Sequence, residues 1–350
     1  MPGIRRVRRG RGFAYRGSQG RWLNDPEEIA RIRRLAIPPA YSEVWICPLP
    51  NGHLQATGRD ARGRKQYRYH PDWMAAQGEA KFERLLAFGR ALPRIRARVA
   101  RDLRQGTATL SQNLVLATLV RLLDTTLVRV GNDEYTRENG SFGLTTLRNP
   151  HAKVHGPRLR LSFRGKSGVP HDITIEDPRL ARVVRRCQDL PGQDLFQYQD
   201  ADGEVRRIGS ADVNDYIADA AGARFTAKDF RTWHGSALAL ELACKAGAAG
   251  DCDDNERRFL IKPALSEVAS RLRNTPAVCR SAYIHPKVLA LWQQLAAASG
   301  DEAVGIVRAI AVRSATGPTR PRLPAAEQRL LRFLRTVAPR SHTRGFTRAS

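Results

Sequence analysis

The stretch LVRVGNDEYTRENGSFGLTTLR, residues 127–148, joins two regions whose patterns predict different secondary structure. Running into it, LSQNLVLATLVRLLDTTLVRVG (110–131) has the apolar spacing of a long helix. Gly131 is expected to end this helix, because glycine readily adopts the left-handed conformation found just after a helix C-terminus. Arg129 would then project from the last helical turn, where its ordinary role is to complement the helix dipole at the surface.

A β-hairpin is predicted on the other side of this stretch. RLRLSFRG (158–165) and VPHDITIE (169–176) read as two strands. They are joined through Lys166, Ser167 and Gly168, which places Lys166 at the tip or on the flank of a turn. Considered alone, a lysine at this position is ordinary for a hairpin.

Outside this stretch, the predicted secondary structure of the chain changes once. From Trp22 to about Trp73, runs such as EVWICPLP, NGHLQATG and GRKQYRYHP predict short strands and turns. From about residue 80 helical periodicity predominates, and Gly78 and Pro93 bracket the expected boundary. We therefore predict an α+β protein. Its small N-terminal β-rich domain covers residues 21–80, and a larger, mainly helical domain containing the hairpin covers residues 81–312.

Both ends of the chain are basic. Residues 1–20 contain six arginines and no acid, and residues 313–350 contain nine arginines against one acid, Glu327. Such ends are expected to be solvated, partly disordered arms that add non-specific affinity for a polyanion. Within the C-terminal tail, AAEQRLLRFLRTV (325–337) has helical spacing and is expected to pack on the body of the protein.

The net charge of +25 predicts a polyanionic partner, for which nucleic acid is the default. Charge alone does not separate an enzyme from a protein that only coats its partner. A membrane partner is not expected, because the sequence contains no apolar run of about 18 residues. The N-terminal MPGIRRVRRGRG lacks the apolar stretch of a secretory signal. We therefore expect a cytoplasmic, nucleoid-associated protein.

Several classes of motif are excluded. Gly165–Lys166–Ser167 lacks the leading glycine of a P-loop, since position 160 is Arg160, and a strand follows it, so no nucleotide partner is predicted. RGRGFAYRG has Tyr15 where a dinucleotide-binding fingerprint needs its third glycine. The five cysteines are scattered without a C-x-x-C pair, and the eight histidines are dispersed. The sequence therefore predicts no cofactor and no metal site.

Two further segments place reactive residue types on helices. In TAKDFRTWHG, Thr226 and Asp229 fit a capping box, so Lys228 and Arg231 would lie on neighbouring surface of the following helix, where ion pairing is their ordinary role. In NTPAVCRSAYIHP a Thr-Pro dipeptide opens a short helix that presents Tyr283. The ordinary role of such a tyrosine is half-buried packing with its hydroxyl satisfied.

In combination these segments resemble a known family. LVRVGNDEYTRENGSFGLTTLR, FRGKSG, KDFRTW and NTPAVCRSAYIHP, in this order and at these separations, resemble the catalytic domain of type IB DNA topoisomerases of the compact, poxvirus-like bacterial kind. Upstream, IPPAY, VWICP and GHLQATGRDARGRKQYRYHPDW resemble the N-terminal DNA-clamp domain of that family. The resemblance covers residues from about 20 to about 310. It implies the fold shared with tyrosine recombinases and a monomer that clamps double-stranded DNA and relaxes supercoils.

The resemblance also implies roles for five residues. Arg129 and Arg231 match the two catalytic arginines, Lys166 matches the general acid, and Tyr283 matches the nucleophile. Asn274 occupies a position that is often histidine in this family. Its amide keeps a hydrogen-bond donor for a phosphate oxygen, but unlike histidine it carries no positive charge and cannot act as an acid. The implied reaction cleaves one strand through a 3′-phosphotyrosine without ATP or metal, because guanidinium groups stabilise the phosphoryl charge and one phosphodiester replaces another.

DNA contacts are implied in the N-terminal domain. Gln66, Tyr67 and Tyr69 match positions that contact the major groove, although alternate packing in a strand would bury one of the two tyrosines. Other basic residues of this domain are expected to bind DNA phosphates. They are Arg59, Arg62, Arg64, Lys65 and Arg68; outside this domain, Lys228 is a further candidate DNA contact.

Two alternative functions remain open at this point. A tyrosine recombinase uses the same chemistry, but it typically has a histidine three residues before the second arginine, where this chain has Lys228. A non-enzymatic nucleoid DNA-binding protein with a decayed site is the other alternative. The four residues that match the arginines, the lysine and the tyrosine of the family argue against decay, whereas Asn274 keeps this alternative open.

Overall fold

The computed structural model describes residues 2–104, 110–248, 254–311 and 323–337. The chain divides into two compact units, Met1–Lys81 and Phe82–Ser350. A β-sheet dominates the first unit and helices dominate the second, which confirms the predicted α+β class. None of the helices in these described ranges is long and apolar enough to cross a membrane.

The N-terminal unit is built on an antiparallel sheet with the strand order β2-β1-β3-β4-β5. The strands are β1 (Ile4–Arg9), β2 (Gly12–Arg16), β3 (Ser42–Ile46), β4 (Leu54–Arg59) and β5 (Lys65–Tyr69). The last three confirm the predicted strands. The expectation of a solvated arm is wrong for residues 4–16, because Ile4 is buried in the core of the sheet and β1 pairs with β3.

A helix, α1 (Pro26–Arg34), covers this sheet and was not predicted, although its signals are present in the sequence. Asp25 caps it by accepting from the backbone N–H of Glu27, and Pro26 occupies the first turn. The helix buries Ile32 against a core that includes Val44 and Ile46. Hydrophobic burial of this kind is the main force that holds a small sheet and a helix together.

The second unit contains most of the helices and a three-stranded sheet. Its first elements are α2 (Pro71–Asp102), which begins before the unit boundary, α3 (Gln112–Thr126), α4 (Asp133–Asn139), β6 (Ala152–His155), β7 (Arg158–Arg164) and β8 (Pro170–Glu176). Then come α5 (Pro178–Gln188), β9 (Gln197–Gln199), β10 (Val205–Arg207), α6 (Ser210–Ala221) and α7 (Ala227–Ala248). The last are α8 (Asp254–Leu272), α9 (Pro276–Ala282), α10 (Pro286–Ala297), α11 (Gly300–Ile310) and α12 (Ala325–Val337).

The helical region begins earlier than predicted. It was expected from about residue 80, whereas α2 begins at Pro71 and continues past Pro93. The division between the two units, after Lys81, falls between Gly78 and Pro93, which were expected to bracket it. The helix expected to end at Gly131 ends at Thr126, because Leu127 takes the left-handed conformation with φ 59° and its N–H closes the last turn on the Leu123 carbonyl. The hairpin β7–β8 and the capping contact of Thr226 with Asp229 are confirmed.

Helix α7 lies at the centre of the second unit and packs against α3, α8, α10, α11 and α12. The predicted C-terminal helix is confirmed as α12, while residues 313–322 and 338–350 of the predicted basic tail lie outside the described residues. A buried charge cluster attaches α12 to the body. Arg96 contacts Asp124 at 2.7 Å and Glu327 at 2.9 Å, and His234 contacts Asp124 at 2.8 Å. Because Glu327 is buried and paired, α12 is part of the folded body.

Candidate active site

Tyr283 lies at the C-terminal end of α9 and is 8% exposed. Thr275 caps the start of this helix by accepting from the Val278 N–H at 3.3 Å, as the Thr-Pro opening predicts. The backbone of Tyr283 is fixed from α7, where the Ser236 hydroxyl donates to the Tyr283 carbonyl at 3.2 Å. A β-carbon at Gly235 would lie 2.9 Å from the same carbonyl, so α7 and Tyr283 approach closely at a glycine.

Arg231 is buried on α7, so the expectation that it shares an exposed surface with Lys228 is wrong for Arg231. Its guanidinium donates to the Leu127 carbonyl and, at 2.7 Å, to the Leu272 carbonyl. The guanidinium carbon lies 4.9 Å from the centre of the Tyr283 ring. Carbonyls at the ends of α3 and α8 therefore hold this arginine over the tyrosine.

Arg129 joins the same cluster through Asn274. The Nη2 group of Arg129 donates to Oδ1 of Asn274 at 2.5 Å. The Nδ2 group of Asn274 is buried and has no hydrogen-bond partner among the described residues, and neither has Nε of Arg231. Buried donors without a partner are costly, so these two N–H groups favour an acceptor such as a phosphate oxygen.

The backbone around Arg129 is held by a close approach of two chain segments. The Leu144 N–H donates to the Arg129 carbonyl at 2.9 Å, and the Thr145 N–H donates to the Val130 carbonyl at 2.6 Å. Gly131 has φ 115°, and a β-carbon there would lie 2.6 Å from the Thr145 hydroxyl. This glycine is therefore needed for the contact between the two segments and not for ending α3.

The arginines determine the ionisation of Tyr283. Burial alone would raise the pKa of its hydroxyl, but the charge and hydrogen bond of Arg231, and the charges of Arg129 and Lys228, outweigh burial and lower the pKa below its ordinary value. Burial lowers the pKa of Arg231. The lowered pKa eases the loss of the proton that a tyrosine gives up when it acts as a nucleophile.

Lys166 lies at the tip of the β7–β8 hairpin, as predicted, where it contacts Tyr135. It is exposed, and its Nζ lies 5.7 Å from the centre of the Tyr135 ring. The turn is tight, since the Gly168 N–H donates to the Gly165 carbonyl at 3.0 Å and Ser167 has φ 64°. The predicted site residues Arg129, Arg231, Asn274 and Tyr283 thus meet in one cluster, and the described contact of Lys166 is with Tyr135.

His171 was missed from the sequence, where a lone histidine in a strand carries no signal. Its ring is buried, stacks on Phe163 at 4.6 Å between centres, and lies directly against Gly165. Burial, together with the charges of Arg273, Arg129 and Arg231, lowers its pKa to about 4. A neutral ring thus supports the base of the turn that presents Lys166.

The candidate DNA contacts of the N-terminal unit lie on or near β5. Tyr67 and Tyr69 are both exposed, at 49% and 45%, and they stack with 6.2 Å between ring centres, so neither is buried by alternate packing. Several other candidates already have partners. Arg59 pairs with Glu43 at 2.9 Å, and Asp60 accepts from Gln66 at 2.9 Å.

The other candidate DNA-binding residues differ in the contacts that their side chains make. Asp60 also pairs with Arg64 at 2.7 Å, and Nη2 of Arg68 donates to the Ala36 carbonyl at 3.4 Å. Lys65 lies 5.8 Å from the Tyr67 ring centre. Arg62 and Lys228 are exposed. Exposure leaves these side chains accessible to a polyanion.

Comparison with known proteins gives matches in both units. A family model described as the catalytic core of eukaryotic DNA topoisomerase I matches residues 70–302, and one described as the N-terminal domain of bacterial DNA topoisomerase IB matches residues 12–60. The chain is 32% identical to a DNA topoisomerase 1B of Acanthamoeba polyphaga mimivirus, over 84% of this chain and 88% of the relative. It is 26% identical to a DNA topoisomerase 1B of vaccinia virus (strain Copenhagen), over 45% of this chain and 49% of the relative.

Proposed function

Since the chain belongs to the type IB DNA topoisomerases, the isomerases that relax DNA, we propose that Tyr283 is the nucleophile that cleaves one strand through a 3′-phosphotyrosine. The observation that carries the proposal is the convergence of Arg231, Arg129 and Asn274 on Tyr283 from distant parts of the chain. Membership of this family favours relaxation over the recombinase and the non-enzymatic DNA-binding protein that the sequence left open.

Each residue of this cluster then has a distinct task. The Tyr283 oxygen attacks the phosphorus, and the bond to the 5′-oxygen of the next nucleotide breaks. Negative charge develops on the phosphoryl oxygens, where Arg129 and Arg231 can donate from rigid forks and Asn274 can donate from Nδ2. The unpartnered donors at Asn274 and Arg231 support this assignment.

Lys166 is the proposed acid for the leaving 5′-oxygen. A 5′-alkoxide is a poor leaving group, so a proton donor assists its departure. In the structure the lysine lies over Tyr135, and its position at the tip of a tight turn allows the side chain to enter a groove of bound DNA. Religation reverses these steps when the free 5′-hydroxyl attacks the phosphotyrosine, so the energy of the phosphodiester is retained without a nucleotide.

The partner is DNA, and we propose that the protein acts on double-stranded DNA as a monomer that closes around the duplex, in the cytoplasm at the nucleoid. The N-terminal unit would contact the major groove through Gln66, Tyr67 and Tyr69. For Gln66 this requires exchange of its contact with Asp60 for a base edge.

The test is relaxation of negatively supercoiled plasmid in EDTA without ATP. Wild-type protein is expected to give a ladder of relaxed topoisomers and, after denaturation, a covalent protein–DNA adduct. Tyr283→Phe removes only the hydroxyl, so it is expected to bind DNA but to form neither relaxed DNA nor adduct. Relaxation by Tyr283→Phe would refute the assignment of the nucleophile.

A further inference from the structure

One face of the N-terminal sheet carries a row of side chains that extends well beyond the proposed groove contact. Strand pairing places Arg16 opposite Arg5, Arg5 opposite Trp45, Trp45 opposite Thr57, and Thr57 opposite Tyr67. Directly paired residues of antiparallel strands project from the same face of a sheet. The row therefore crosses all five strands on the face where Tyr67 is exposed, opposite the buried core.

An exposed tryptophan ends this row. Trp22 bridges to Arg16 beside the edge strand β2 and is 43% exposed. The guanidinium carbons of Arg16 and Arg9 lie 4.6 Å and 5.9 Å from the centre of a Trp22 ring. Stacking uses the flat face of a guanidinium and leaves the N–H groups at its edge available to phosphate oxygens. The indole thus holds two arginines in place, which lowers the entropy that they lose on binding.

Charge compensation differs between the two hairpins of this sheet. In the β4–β5 hairpin, Arg59 and Arg64 are paired with carboxylates. The sequence from residue 2 to residue 24 contains no acid, and within the described part of the chain no carboxylate forms an ion pair with Arg5, Arg9 or Arg16. Uncompensated positive charge is therefore concentrated on the β1–β2 hairpin.

We propose that this hairpin, through Arg5, Arg9 and Arg16 on its exposed face, binds the phosphate backbone of duplex DNA beside the groove that Tyr67 contacts. The proposal rests on the proposed groove contact of that face. Neighbouring strands lie about 4.8 Å apart, so Arg5 and Arg16 are about 14 Å and 19 Å from Tyr67 across the sheet. The major groove is only about 12 Å wide, so these arginines reach past the base edges to a bounding backbone.

The test is the salt dependence of binding of the full chain to a duplex, with Arg5→Gln/Arg16→Gln compared with Arg8→Gln. Arg8 is exposed on the same hairpin, but the alternation of side chains directs it to the opposite face, with Ile4 and Arg6. The slope of log Kobs against log[salt] is negative, and each lost phosphate contact reduces its magnitude by about 0.9. The double variant is therefore expected to reduce the magnitude of the slope by about 1.8, and Arg8→Gln is expected to leave it unchanged.

The outcomes separate this proposal from the proposed function. An unchanged slope in the double variant would overturn the proposal. A slope that changes by the same amount per replaced arginine in Arg8→Gln would also overturn it, because binding would then depend on the net charge of the hairpin and not on the arginines of one face. Single-turnover cleavage by Arg8→Gln at saturating protein is expected to equal that of wild type. Failure of wild-type protein to form an adduct would refute the proposed function instead, while the salt slopes would still test the hairpin.

Discussion

Substitution of Asn274 tests the two tasks that we propose for one amide. Oδ1 accepts from Arg129 at 2.5 Å, whereas Nδ2 is buried and finds no hydrogen-bond partner within the described ranges of the chain. The first task positions an arginine, and the second offers a donor to the phosphate. Asn274→Ala removes both groups, and Asn274→Asp keeps the acceptor for Arg129 but replaces the donor with a second oxygen of almost the same size.

The expected magnitudes follow from these contacts. A hydrogen bond to a charged group contributes about 1.5–3 kcal/mol, so Asn274→Ala is expected to slow cleavage roughly 10- to 150-fold. Asn274→Asp is expected to be slower still, because its carboxylate would repel the phosphate and compensate the charge of Arg129.

The assay is single-turnover formation of the covalent adduct on a substrate whose cleaved fragment dissociates, so that religation does not contribute. Saturating protein separates the rate of the chemical step from binding, and the duplex affinity of each variant provides the control. Cleavage by Asn274→Asp at the wild-type rate would refute the donor role of Nδ2 and leave Asn274 only the positioning of Arg129.

Three further predictions test other parts of the site and fold. Lys166→Ala is expected to cleave slowly on normal DNA but to be rescued by a 5′-bridging phosphorothiolate, whose sulfur leaves without a proton; absence of rescue would contradict its role as acid. Lys228→Met removes one of the cations that lower the pKa of Tyr283, so the rise of cleavage rate with pH should move to higher pH, and an unmoved pH–rate profile would contradict this electrostatic effect. Glu327→Ala removes one of the two carboxylates that pair with Arg96 and is expected to lower the free energy of unfolding by about 1–3 kcal/mol, measured by urea denaturation; a loss below about 0.5 kcal/mol would show that α12 does not depend on this pair.

The sequence predicted the elements whose patterns are local. The hairpin β7–β8, the capped helix before Tyr283 and the helix α12 all follow from alternation, capping residues and apolar spacing. The strands β1 and β2 were mistaken for an arm because arginine is frequent in disordered basic ends. The only sequence pattern that indicates these strands is the alternation of apolar and basic residues that begins at Ile4, and the many arginines obscure it.

Long-range contacts within the site could not be read from the sequence. The burial of Arg231 depends on carbonyls of Leu127 and Leu272, which come from the ends of two other helices. The capping pattern placed Arg231 one turn into a helix and gave no information on which side of that helix faces the core. The contact of His171 with Gly165 is local to the β7–β8 hairpin, but the burial and the charges of nearby arginines that lower the pKa of His171 come from packing that no local pattern reports.

The partners of the two site arginines explain how the cluster remains suited to an anion. Elsewhere in the described chain, Arg31, Arg96 and Arg160 donate to carboxylates, which cancel their charge. Arg231 donates instead to two backbone carbonyls, and Arg129 donates to an amide oxygen, so both are oriented without being neutralised. Burial lowers the pKa of Arg231 because it disfavours the charged guanidinium away from water and from an anion. In the proposed mechanism, a phosphate that gains negative charge as Tyr283 attacks offsets that cost most at the transition state, and this difference between ground state and transition state would accelerate the reaction.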